Sequence, residues 1–173
     1  MSRFAWAAAA LAAIAFLAAL AFTGGRGGPG LAPFAPNGLL VIPATEIREV
    51  DVATAEAQWR FARGEGGWRV TQGNAAPGFE ARLEAALTLL RNSGPERMLS
   101  DSEVASVDAA QFGLDPPKLR VVVRGPETSA FAISFGATNL LGLSHYASVD
   151  GRREIALLPG FVAEAWEQVG GKP

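Results

Sequence analysis

Apolar and polar positions fall into three regimes along this chain. Phe4 to Phe22 is unbroken, with 19 consecutive apolar residues and no charge, Pro or Gly. From Thr23 to Gly38 the pattern gives way to TGGRGGPGLAPFAPNG, which holds six Gly and three Pro in 16 residues. Beyond Leu39, short alternating stretches interleave with stretches of helical spacing.

The first regime predicts a helix that crosses a membrane. At 1.5 Å per residue, 19 residues span about 28 Å, close to a hydrocarbon thickness of about 30 Å. Lipid offers the backbone no partners, so such a run closes its own hydrogen bonds. Residues 4–22 are therefore expected to be a transmembrane anchor, with residues 1–3 cytoplasmic because Arg3 is the near-side charge. Ala19-Leu20-Ala21 also fits a small-x-small cleavage site, so the alternative is a signal segment that is removed. Eleven of the 19 residues are Ala. Pairs such as Ala8/Ala12 and Ala15/Ala19 would let a second helix approach closely. Residues 23–38 then read as a flexible to semi-extended spacer.

The third regime predicts one folded domain over 39–169, with a frayed end at 170–173. Ile47, Val50 and Val52 suggest a first strand. Trp59 and Phe61 alternate with polar neighbours, and Arg63-Gly64-Glu65-Gly66-Gly67 turns the chain into Trp68-Arg69-Val70, a hairpin. Phe79, Leu83, Ala86, Leu87 and Leu90 recur at helical spacing, with Pro77 placed in the first turn and Asn92-Ser93-Gly94 as the stop. Ser100-Asp101-Ser102-Glu103 is a capping box for a short helix carrying Val104 and Val107. Four strands follow: Leu119 to Arg124, Phe131 to Phe135, Ser144 to Val149, and Glu154 to Leu158 after the Asp150-Gly151 turn. Pro159 opens a last helix with Phe161, Val162, Ala165, Trp166 and Val169 on its apolar side. The expected fold is α+β: a transmembrane helix, then one domain of mainly antiparallel sheet with two or three covering helices.

The phrase FGLDPPKLRVVV, followed by FAISFG, the Tyr-bearing HYASVDG and EIALLP, resembles the bacterial domain-of-unknown-function 4340 family. The likeness covers about residues 45–169, and Phe112 to Pro117 is its most specific part. It implies a membrane-anchored extracytoplasmic protein, of a kind associated in some members with auxiliary components of gliding-motility-type ABC transporters. No catalytic residue comes with it. With the anchor, it places the chain in the bacterial inner membrane as a single-pass protein with a periplasmic domain, or free in the periplasm after cleavage.

Composition narrows the chemistry. There is no Cys, which removes disulfides, thiol catalysis and Cys-based zinc sites. Past Arg26 the chain carries 13 basic and 17 acidic residues, so no basic surface for nucleic acid is expected. The glycines of Gly24 to Gly30 lack a phosphate-loop Lys-Ser/Thr, so no nucleotide is expected either. His145 is the only histidine and cannot build a multi-histidine metal site. Ser144 and His145 are strand neighbours that point to opposite faces, so they form no triad. Asp115 reads as a turn residue capping backbone N–H groups, or else as a ligand-facing carboxylate. Arg152-Arg153 reads as a solvated tip. Trp59, Trp68 and Trp166 read as core or edge fillers, with sugar stacking as the alternative. No catalytic, cofactor or metal residue is assigned.

The functional expectation is an interaction domain without catalytic activity, bound to lipid through Phe4–Phe22 and to an envelope protein. The alternatives are a glycan- or lipid-binding accessory of an ABC-type transporter, and a carboxylate-dependent hydrolase built on acidic groups near His145 or Tyr146.

Overall fold

The computed structural model describes residues 12–19, 35–105 and 107–170. It divides into two units, Met1–Ala35 and Pro36–Pro173. In the first, residues 12–19 are helical (α1), with Ile14, Phe16 and Leu17 exposed. Among the described residues no helix is long and apolar enough to cross a membrane. This overturns the expected transmembrane helix, and with it the single-pass inner-membrane placement with a periplasmic domain. The rest of 4–22, residues 1–3, residues 23–34 of the spacer and the 171–173 tail lie outside the described residues.

The second unit is an eight-stranded antiparallel sheet with helices packed on one face. Its strands are β1 (Glu49–Thr54), β2 (Gln58–Gly64), β3 (Gly67–Gln72), β4 (Arg97–Leu99), β5 (Leu119–Arg124), β6 (Ala130–Thr138), β7 (Ser144–Val149) and β8 (Ile155–Pro159). Their order is β3-β2-β1-β5-β6-β7-β8-β4. Two meanders, β1 to β3 and β5 to β8, join where β1 lies antiparallel to β5, from Glu49↔Arg124 to Thr54↔Leu119. Helix α2 (Phe79–Asn92) follows β3 and leads to β4 on the opposite edge, and α4 (Gly160–Val169) follows β8.

Side-chain alternation decides which face the helices cover. Val50, Val52, Phe61, Val121, Val123, Ile133 and Phe135 point to one side and are buried. Leu83, Ala86, Leu87 and Leu90 of α2 and Val162, Ala163, Trp166 and Val169 of α4 complete the same cluster. The opposite face is partly covered by the segment after β4. That segment contains the four-residue α3 (Asp101–Val104) and a 3-10 turn at Ala109–Phe112. Phe112 meets Tyr146 edge-on, with ring centroids 5.0 Å apart. Gly136 in β6 lets this segment approach, because a Cβ there would collide with the Phe112 carbonyl.

Local details depart from the sequence pattern in a few places. Ile47 is buried in the loop after a 3-10 turn at Ala44–Glu46, ahead of β1. Pro77 lies before α2, whose N-cap is Gly78 in the left-handed region at φ 78°. Strand β4 was not expected; it pairs with β8 through Met98↔Ala156 and its neighbours. The capping box at Ser100 and Glu103 is present as read.

Candidate functional site

The residues singled out for chemistry do not converge. Ser144 is buried and its hydroxyl donates to Glu96 Oε2 at 2.6 Å. His145 Nδ1 lies 3.3 Å from the Gly136 carbonyl oxygen. Tyr146 packs on Phe112. Asp115 is exposed and precedes a cis bond to Pro116. Arg153 pairs with Asp101 at 3.3 Å. Among the described residues no group of acidic, His or Cys side chains could hold a metal ion. Trp68 and Trp166 are buried in the core as expected, and Trp68 Nε1 donates to Glu84 at 2.7 Å.

The sheet face away from the helices carries a polar network. Asp51, at the middle of β1, accepts from Arg60 Nε at 2.7 Å and from Arg124 Nη2 at 2.8 Å. Burial pushes the Asp51 carboxyl up, but the hydrogen bonds and charges of Arg124 and Arg60 outweigh it and hold it below its ordinary value. Arg120 bridges Ser134 Oγ at 3.0 Å and both carboxylate oxygens of Asp150. These arginines are already neutralised, so they make a structural lattice rather than an open anion site.

A second feature stands out at the turn between β6 and β7. Asn139 ties this turn together: its Oδ1 accepts from Leu143 N–H at 3.1 Å, and its own N–H donates to the Ser144 carbonyl at 2.8 Å. Gly142 takes φ 71° and donates to the Asn139 carbonyl at 2.9 Å. The fixed turn turns its leucines outward. Leu140 is 106% exposed, Leu141 77% and Leu143 67%. Gly160 N–H donates to the Leu143 carbonyl at 2.7 Å, which ties the start of α4 to the end of this turn, and the next residue, Phe161, is 50% exposed. Phe161 was expected on the apolar side of α4; Ala163 takes the buried position instead.

A cleft of about 450 Å³ opens near the other end of α4. The β1–β2 turn (Thr54 to Ala57), Trp59, Lys118, Leu119, Glu167 and Gly170 line it. Thr54 Oγ1 accepts from the Glu56 and Ala57 N–H groups, which shapes the turn.

Sequence reasoning passed over the tip, and of the cleft it named Trp59 alone, with sugar stacking as the alternative to a core or edge role. The signal for the tip was present: Leu-Leu-Gly-Leu in a turn contradicts the usual polarity of loops. The polar rim of the cleft left no local signal, because Trp59 and Lys118 are far apart in the chain and are brought to one place by the β1–β2 and β1–β5 pairings together. No family model, curated protein or solved structure matches this chain.

Proposed function

We propose that this chain is a docking domain without catalytic activity, an accessory that engages a protein partner through the leucine tip. The observation that carries this reading is the exposure of Leu140, Leu141 and Leu143 in a turn that hydrogen bonds hold rigid. Isolated surface leucines are ordinary, but three exposed leucines within one four-residue turn lose free energy to water until something covers them. Covering a leucine contributes about 1.5–3 kcal/mol, and a preformed turn has little conformational entropy left to lose on binding. The resemblance to the domain-of-unknown-function 4340 family supports an accessory role in a larger, transporter-associated assembly. The two phrases carrying it, at Phe112 and at Gly136, dock on one another.

The test is affinity isolation with the full chain and a Leu140→Ser/Leu141→Ser variant. The variant keeps the wild-type melting temperature, because both side chains are already in water. It loses the enriched partner, with binding weakened about 30-fold or more. An identical set of captured proteins from both chains would remove the tip as the docking site.

A further inference from the structure

We infer that the cleft beside Trp59 binds a neutral polyhydroxylated ligand, a sugar ring, independently of the leucine tip. The cleft, at about 450 Å³, has room for one small ligand. Its aromatic wall is fixed in advance. Trp59 Nε1 donates to the Asn74 carbonyl at 3.1 Å. Gly73 and Gly170 approach the ring so closely that a Cβ on either would come within 2.8 Å of it. An indole held in this way offers an apolar plate without loss of rotamer freedom on binding.

The polar rim selects the ligand class. Lys118, Glu56 and Glu167 line the cleft from three separate parts of the fold: the residue just ahead of β5, the β1–β2 turn and the last turn of α4. All three are exposed, and among the described residues their side chains make no ion pair or hydrogen bond. Two carboxylates against one ammonium leave a net negative rim, which disfavours phosphates and carboxylates. The Lys118 ammonium disfavours a compact cation. A polyol answers both signs: its hydroxyls donate to carboxylates and accept from an ammonium. Its C–H face covers the indole.

The experiment titrates the full chain with glucose, N-acetylglucosamine and maltose, and separately with acetate, inorganic phosphate and methylammonium. Tryptophan emission and calorimetry are the readouts. At least one sugar is expected to bind saturably, with a dissociation constant of about 1 mM. Glu167→Gln and Lys118→Met weaken it about tenfold, and Trp59→Leu abolishes it. Leu140→Ser/Leu141→Ser leaves it unchanged, which separates this site from the docking tip. If Trp59→Leu does not fold, the two polar variants decide. The inference is overturned by no saturation with any sugar up to about 100 mM, where a millimolar site is filled. Saturation by acetate, phosphate or methylammonium instead, or sugar binding undiminished in the polar variants, overturns it equally.

Discussion

Asp51 has two arginines as hydrogen-bond partners in the middle of β1, and its side chain is only 10% exposed. The arginines hold its carboxyl below the ordinary value in the folded protein. In the unfolded chain an aspartate returns to about 3.9. A carboxyl lowered by folding adds stability at pH values above that figure. The contribution fades as pH falls below it and is gone once pH passes through the lower folded-state value. Asp51→Asn is therefore expected to lower the melting temperature at pH 7 and to flatten the acid limb of a melting-temperature profile between pH 5 and pH 2. Equal acid limbs in the two proteins would assign the acid sensitivity elsewhere. Asp51→Ala costs about 1–3 kcal/mol in urea unfolding, because two arginines lose their acceptor while keeping access to water. None of this was legible in EVDVAT. The motif shows an alternating strand with an acid on its polar side, but Arg124 lies 73 residues away, and only the register of β1 with β5 brings it to Asp51.

At the scale of the element, β6 shows how one residue type admits a neighbour. A Cβ at Gly136 would collide with the Phe112 carbonyl oxygen and come within 2.9 Å of Gly113, and both contacts are backbone. Gly136→Ala is expected to destabilise the domain by about 1–3 kcal/mol, the usual range for overpacking. Gly66→Ala, which meets nothing within 4 Å, should stay within about 0.5 kcal/mol of wild type. Comparable urea midpoints for the two variants would mean that the segment over β6 yields readily. Most elements were legible because their periods are strong: α2, the β2–β3 hairpin and β5 to β8 follow the alternation of their side chains. Strand β4 was not, since Arg-Met-Leu is three residues of mixed character whose only support is pairing with β8. Helix α4 was read correctly, with Val162, Trp166 and Val169 buried as expected, and Phe161 alone departs from its expected face. Phe161 sits in the first turn beside an exposed loop, where size alone does not force burial.

Across the whole second unit, one continuous sheet and one shared core replace what the sequence presents as two separate meanders. Antiparallel β structure under covering helices could be read from side-chain period, whereas the order of strands could not, because β1 and β5 carry no local mark of their partnership. Their ladder is interior to the sheet, while β3 and β4 are its two edges. Amide exchange is expected to be slowest in β1 and β5 and fastest among the strands in β3 and β4. Faster exchange at Val121 than at Val70 would contradict a single cooperative sheet. The same strand order governs events during synthesis. β1, β2 and β3 leave the ribosome first, and the outward edge of β1 waits unpaired until β5 emerges. Strand β4 waits longer still, for β8 near the end of the chain. A nascent chain stalled before Ile155 therefore leaves β7 and β4 without the strand that lies between them, and the emergence of β8 is the step that brings β4 into the sheet.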